Sequence, residues 1–236
     1  MISVIIPVYN EERTIPSIIE IVRTWGKAKE IIVVNDGSTD RTLAALRQFK
    51  NSIVLLSRTR NHGKGKSMME GVRKARGDLI MFLDGDVVGL THADLNRMTA
   101  PVLNNLADMV IAVTNCWGVG SFEPFNVING ERVLRRDAII DHINKFAHVG
   151  NGVEFIINEI HKHKRIKTIK LPHVYILSKF EKVSPPEAIV QYVKEAKQFV
   201  TAILQIQADG ITPHAKKLLR VSQAYLKHAL DYFQYG

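Results

Sequence analysis

Two periods of hydrophobic and polar positions alternate along the first half of the chain. Residues 2–8 (Ile-Ser-Val-Ile-Ile-Pro-Val) form an almost continuous β-branched run, the pattern of a central parallel strand. From 12 to 25 the apolar positions Ile15, Ile18, Ile19 and Val22 recur at helical spacing. Residues 30–34 give a second strand, and Ser38 or Thr39 is suited to cap the helix after it. A third strand follows at 53–56, then a helix at 63–75 that turns Met68, Met69 and Val72 inward. A fourth strand at 79–83, a helix at 94–106 and a strand at 109–113 continue the alternation. This order predicts an α/β protein built on an open, mostly parallel sheet with helices on both faces. Beyond residue 185 the period is helical, with Val190, Val193, Phe199, Val200 and Ile203 in one stretch. Leu218, Leu219, Tyr225, Leu226, Leu230 and Phe233 form another, and the two are broken near Asp209-Gly210-Ile211-Thr212-Pro213.

Ligands of such sheets bind outside the carboxyl ends of the strands. There the chain places Tyr9, Asn10 and Glu11 after strand one, and Asn35, Asp36, Gly37 and Ser38 after strand two. Asp84-Gly85-Asp86 comes after strand four. Turn chemistry accounts for Asn, Asp and Gly at any one of these places. It does not readily account for an acidic residue at all three. The run Leu79-Ile80-Met81-Phe82-Leu83 ending in two carboxylates two apart reads as a buried strand emerging into a cleft, with both Asp side chains on one side. Gly85 leaves room for a close ligand. Two hard oxygens there suit Mg²⁺ or Mn²⁺ shared with a diphosphate, whereas the plain alternative is an Asp-Gly turn capping the strand.

Composition narrows the classes. At 236 residues, 46% hydrophobic and 23% charged, the chain fits one sizeable α/β domain. Cys116 is its one cysteine, so an intrachain disulfide is excluded. Met1 runs almost directly into strand-like sequence without a basic-then-apolar leader, and no apolar run nears the ~20 residues of a membrane span. The expectation is a cytoplasmic protein. The net charge of +9 is concentrated in Lys162, Lys164, Arg165, Lys167, Lys170, Lys179 and Lys182, opposed only by Glu181. Such a stretch suits an anionic partner, yet it lacks interleaved aromatics and any nucleic-acid module, so most of these lysines read as a solvated face and nucleic acid is not expected.

Four blocks carry a family resemblance: Ile5-Ile6-Pro7-Val8-Tyr9-Asn10-Glu11-Glu12, Val33-Val34-Asn35-Asp36-Gly37-Ser38-Thr39-Asp40, the segment 61–66, and Asp84-Gly85-Asp86. In that order and spacing, over roughly residues 1–113, the chain resembles a family 2 glycosyltransferase of GT-A fold. The resemblance implies a nucleotide pocket walled by Pro7, Tyr9, Asn10 and Glu11, with Asp36 accepting from the base. In Asn61-His62-Gly63-Lys64-Gly65-Lys66, the Gly63 backbone and Lys64 would take phosphate charge at a helix start. Asp84 and Asp86 resemble the metal-binding Asp-x-Asp, with Asp86 making the main contact and the ion acting as Lewis acid on the leaving diphosphate. His173 is a candidate third metal ligand, although a lone His beside a strand is more often structural.

The second half is similar to the family's acceptor region. Asn129-Gly130-Glu131-Arg132-Val133-Leu134-Arg135-Arg136 resembles a Ser-Gly-x-Arg-x-x-Arg-Arg segment, departing from it at Asn129 and Glu131. By the resemblance Arg132 would face an acceptor phosphate; by pattern alone Arg135 and Arg136 read as solvated helix charges. Gly150-Asn151-Gly152-Val153-Glu154 resembles a Gly-x-Gly-x-Glu block. Glu154 would be a general base toward a hydroxyl acceptor, or would orient a basic residue or the acceptor if that is a phosphate; a helix N-terminal acid is the plain reading. The implied organisation is a GT-A domain over 1–183, with 1–113 the nucleotide-sugar half, 114–183 the acceptor half and 184–236 an amphipathic helical tail. The implied reaction is metal-dependent and inverting, from a UDP- or GDP-sugar to a polyprenyl phosphate or other phosphorylated acceptor. The tail is open to core packing, a homodimer interface or peripheral contact with the inner face of the membrane. Rival readings are a soluble transferase acting on a hydroxyl, a nucleotidyltransferase (which lacks its Gly-rich loop here) and a non-catalytic nucleotide-sugar binder.

Overall fold

A computed structural model describes residues 1–116 and 129–208. Its first half follows the hydrophobic pattern closely. The chain runs β1 (Ile2–Val8), α1 (Ile15–Trp25), β2 (Ala28–Asp36), α2 (Thr42–Arg47), β3 (Val54–Arg58), α3 (Lys64–Lys74) and β4 (Leu79–Phe82). A two-residue β5 (Val87–Val88), α4 (His92–Leu103) and β6 (Met109–Cys116) follow. The second half adds β7 (Arg132–Arg135), α5 (Asp137–Ile140), α6 (Val153–Ile160), β8 (Ile166–Ile176), the one-turn α7 (Lys179–Lys182) and α8 (Pro185–Ala208).

The eight strands form one sheet in the order β3-β2-β1-β4-β7-β6-β8-β5. The β3-β2-β1-β4 half is parallel, so its carboxyl ends share one edge. β7 then enters antiparallel between β4 and β6, pairing Phe82 with Arg132 on one side and Ile111 with Arg132 on the other. This corrects the reading of Arg135 as a helix charge: Arg135 closes β7, opposite Leu79. Four residues with an arginine at each end carry too little pattern to announce a central strand.

Each face of the sheet has its own core. On one, Ile15, Ile18, Ile19 and Val22 of α1 and Leu95, Met98 and Val102 of α4 pack on Val4, Ile6 and Val33. On the other, Met68, Met69 and Val72 of α3 meet Ile5, Ile32 and Val34, joined by Phe155 and Ile156 of α6. Buried side chains of this kind contribute about 1.5–3 kcal/mol each. Strand β1, apolar on both faces, is the seam between the two cores. α8 sends Ala188, Tyr192, Phe199 and Ala202 into the second core, with Phe199 edge-on to Phe155. The second helical stretch expected toward the C-terminus lies outside the described residues. Among the described residues no helix is long and apolar enough to cross a membrane.

Candidate active site

The parallel half of the sheet delivers its polar residues to one cleft of about 490 Å³. Pro7, Tyr9, Asn10 and Glu11 line it from the end of β1, Asp36 from β2, Gly63 and Lys64 from the start of α3, and Asp84 and Asp86 from beyond β4. Loops from adjacent strands are stitched together beside it. The Asn10 carboxamide oxygen accepts from Thr39 N–H at 2.8 Å, and the Glu11 N–H donates to Thr42 Oγ1 at 2.8 Å. Asn10 takes a left-handed φ of 58°, which asparagine tolerates better than most side chains.

Asp36 is almost wholly buried and anchors the loop before α3. Its Oδ1 accepts from His62 N–H at 2.8 Å and its Oδ2 from Gly63 N–H at 2.7 Å. Arg58 pairs with the same carboxylate at 2.9 Å and with Glu70 at 3.3 Å. Gly63 has φ 95°, a conformation strained for other residues, so its glycine is a requirement of the turn. Asp36 therefore shapes the cleft wall through the backbone, a contact that sequence reasoning missed along with Arg58.

β4 ends at Phe82, so Asp84-Gly85-Asp86 is a turn rather than strand. The turn is pinned by Thr14 Oγ1, which donates to the Gly85 carbonyl at 2.6 Å. Each Asp then meets its own lysine. Lys64 Nζ lies 2.6 Å from Asp84 Oδ1 and 2.6 Å from Glu154 Oε1. Lys182 Nζ lies 2.8 Å from Glu11 Oε1 and 2.7 Å from Asp86 Oδ2. The cluster thus sets four carboxylates against two ammonium groups.

The electrostatics follow from burial and this pairing. Burial alone would lower the Lys64 ammonium, but Asp84 and Glu154 outweigh it and hold its pKa well above the usual lysine value. Lys182 is raised in the same way by Asp86 and Glu11. Burial, then the Asp86 carboxylate, push Glu11 up to about 7. Burial opposes ionisation of Asp86 too, yet Lys182 holds that carboxyl below its ordinary range.

Beneath the cleft lies a second layer of charge. Glu154, at the first turn of α6, is 2% exposed and raised by burial, with Lys64 opposing the shift. It faces Lys64. Arg132 is 0% exposed; its Nε donates to the Asn129 carbonyl at 2.9 Å and its Nη1 to Asn158 Oδ1. Burial lowers it to about 10, with Glu154, Glu131 and Asp84 opposing. Arg132, expected from sequence to face an acceptor phosphate, is carried by a central strand under the site, next to the buried carboxylates. Glu131, which sequence reasoning treated only as a departure, is also fully buried, and among the described residues neither carboxyl oxygen has a hydrogen-bond partner. Burial, then Asp84, raise it to about 8.

His173, the candidate third metal ligand, contacts Asp94. Its side chain is 50% exposed and its Nε2 lies 2.9 Å from Asp94 Oδ2, at the N-terminus of α4. Asp94 forms a capping box with Thr91, so His173 braces a helix end rather than joining Asp84 and Asp86. Among the described residues no group of three or more His, Cys, Asp or Glu side chains is assembled for a metal. Asp84 and Asp86 nonetheless fit a hard divalent ion that takes its remaining ligands from a diphosphate and water. Gly130 backs this donor set: a Cβ there would stand 2.2 Å from Asp84 Oδ2.

Lys179 and Lys182, expected on a solvated basic face, line the cleft instead. Nothing in local sequence distinguishes them from Lys167 and Lys170 on β8, both exposed. Their place is set by α7, which returns the chain over the carboxyl ends of the strands.

Residues 3–170 match the family profile of Glycosyl transferase family 2, and the chain belongs to that family. A curated relative, the undecaprenyl-phosphate 4-deoxy-4-formamido-L-arabinose transferase of Pseudomonas paraeruginosa, is 37% identical over 95 residues. That match spans 37% of this chain and 28% of the relative's length. The enzyme of the same name from Pectobacterium carotovorum is 39% identical over 94 residues, 36% of this chain and 29% of that one. Among solved structures, glucosyl-3-phosphoglycerate synthase from Mycobacterium tuberculosis in complex with Mg²⁺ and UDP superposes with TM-score 0.64. It is 19% identical, over 86% of this chain and 79% of that one. The same enzyme with Mn²⁺, UDP and glucosyl-3-phosphoglycerate gives TM-score 0.60 and 21% identity over 75% and 72% of the two chains. The fold is GT-A.

Proposed function

We propose that this chain is a metal-dependent transferase that moves a sugar from a nucleoside-diphosphate sugar to a phosphorylated acceptor, with a polyprenyl phosphate as the preferred class. The observation that carries the reading is the convergence of Asp36, Lys64, Asp84 and Asp86 on one cleft at the carboxyl ends of β1, β2 and β4. Glu11 and Tyr9 would wall the nucleoside, and the 61–63 backbone held by Asp36 would shape the pocket beside it. Asp84 and Asp86 would hold Mg²⁺ or Mn²⁺, which when bound supplies charge neutralisation to the departing diphosphate. Glu154 keeps Lys64 pointed at Asp84, and Arg132 beneath them offsets the buried carboxylates. A phosphate acceptor is already anionic and needs no strong base, which suits a Glu154 committed to Lys64 rather than to a hydroxyl.

The acceptor class is supported by relatives named as undecaprenyl-phosphate sugar transferases. UDP is favoured as donor nucleotide over GDP by the neighbouring complexes. A phosphorylated small acid is the second reading of the acceptor, favoured by the glucosyl-3-phosphoglycerate complex. A cytoplasmic location with peripheral contact to the inner face of the membrane accompanies the first reading. A homodimer is compatible with both.

The test is transfer of radiolabel from UDP- and GDP-sugars, with Mn²⁺, to detergent-dispersed undecaprenyl phosphate and separately to phosphoglycerate. Label in the lipid phase, lost in Asp86→Ala, supports the first reading. Label in the acid alone selects the second. No Asp86-dependent transfer from any donor sinks the proposal.

A further inference from the structure

The mechanism proposed above leaves Lys182 without a part, although it makes the tightest contact with Asp86. Its Nζ lies 2.7 Å from Asp86 Oδ2 and 2.8 Å from Glu11 Oε1, so one ammonium bridges the two carboxylates. It reaches them from α7, a single turn between β8 and α8. Ser178 and Glu181 close a capping box on that turn, and Arg13 Nη1 donates to the Glu181 carbonyl at 3.1 Å. Neighbouring Lys179 is engaged elsewhere, 2.6 Å from Glu195 on α8. The segment is tied at its ends and presents one long flexible side chain to the donor carboxylates.

An ammonium and a divalent ion compete for the same oxygen. A Mg²⁺ ligand lies at about 2.1 Å and the coordination is close to octahedral, which leaves no space for a hydrogen-bonded ammonium on the same lone pairs. Two cations sharing Asp86 would also repel each other across a few ångströms with little water between them. A lysine side chain is a point charge on a flexible stem, with several ångströms of travel that need no backbone movement. Within the cluster both lysines are turned onto carboxylates, so an arriving diphosphate gains their charge only when an ammonium is released toward it.

We propose that Lys182 is an exchangeable counter-cation of the donor site. Without donor it neutralises Glu11 and Asp86; when the metal ion takes Asp86, the ammonium leaves that oxygen and pairs with the incoming diphosphate. The same residue thus opposes binding of metal alone and favours binding of metal with nucleotide. This deepens the function proposed above and rests on Asp86 as a metal ligand. It makes the donor site one that fills with ion and diphosphate together, and it gives α7 a function beyond linking β8 to α8.

The test is Mn²⁺ binding to the full chain, followed by electron paramagnetic resonance of the free ion, with and without UDP. Lys182→Ala is expected to bind Mn²⁺ alone about fivefold or more tighter than wild type, and Mn²⁺ with UDP about fivefold or more weaker. A merely structural lysine would move both affinities in the same direction. Movement in one direction, or no change in either, overturns the proposal while leaving Asp86 as a ligand. Lys182→Met is measured alongside with circular dichroism, so that the sign of each change is read on a folded variant. Asp86→Asn separates the two levels: if it binds Mn²⁺ with UDP as wild type does, the metal reading fails and the exchange falls with it.

Discussion

Gly130 lies against Asp84 so closely that a Cβ on the glycine would stand 2.2 Å from Oδ2 and 2.5 Å from Cγ. The contact is with the short side chain that Lys64 already holds, so a methyl group cannot be accommodated by a small swing. Gly130→Ala is expected to displace the Asp84 carboxylate and weaken metal-dependent nucleotide binding about tenfold or more, a typical cost of disturbing a ligand's support. Calorimetric titration of UDP with Mn²⁺ checks it. Unchanged affinity would show that Asp84 is free to reposition and that the glycine serves only the chain path.

Lys64 carries a structural burden as well as a chemical one. Removing its ammonium takes away the cation that bridges Asp84 and the almost fully buried Glu154. Breaking such a buried pair costs about 3 kcal/mol or more. Lys64→Met is therefore expected to lose stability on that scale in urea denaturation, and Lys64→Met with Glu154→Gln to recover a large part of it. Losses that simply add would mean that the two side chains are not coupled.

Arg132 was expected from sequence to touch the acceptor, and its burial changes the forecast. A guanidinium beneath Glu154, Glu131 and Asp84 acts on all of them at once. Arg132→Met is expected to lower thermal stability and to weaken donor binding and acceptor use together. Loss confined to acceptor use, with melting temperature and donor affinity intact, would return Arg132 to the acceptor site.

Glu131 gives the fold a pH dependence of definite sign. Its carboxyl, raised to about 8 by burial and then Asp84, holds a proton in the folded state that the unfolded chain releases near 4.5. The folded protein then binds more protons between these values, so this contribution is complete below about 4.5 and is lost as pH rises through about 8. At about 1.4 kcal/mol per pKa unit the effect amounts to a few kcal/mol. Melting temperature measured from pH 5 to pH 9 is expected to fall less steeply in Glu131→Gln than in wild type. Identical slopes would mean that Glu131 finds a partner or water when folded.

The legibility of the sequence was uneven for physical reasons. β1, β2 and β4 are buried on both faces and announce themselves as apolar runs, and the residues at their ends follow from topology alone. β7 was hidden because a central strand with a buried arginine violates the pattern that marks strands. Arg58 and Lys182 were hidden because their partners, Asp36 and Asp86, lie far away in sequence, and a lysine's side chain carries no local sign of where it ends. The loops that carry the family blocks meet at one cleft. Which charges face the cleft and which lie beneath it depended on packing between β7, α6 and α7.

His173 offers a test of that last distinction. Its Nε2 contacts Asp94, which also accepts from the Thr91 N–H at 3.0 Å and from the Thr91 hydroxyl at 2.6 Å. The imidazole is half exposed and adds one more partner to a carboxylate that is already bonded. Removing it should cost stability within the ordinary range of a single hydrogen bond, about 0.5–1.5 kcal/mol. His173→Ala is accordingly expected to leave Mn²⁺ affinity, measured with UDP, within about twofold of wild type, whereas Asp86→Ala abolishes it. A large loss of metal affinity in His173→Ala, with α4 intact by circular dichroism, would place the histidine at the metal after all. It would also require the imidazole to give up its contact with Asp94 when the donor binds.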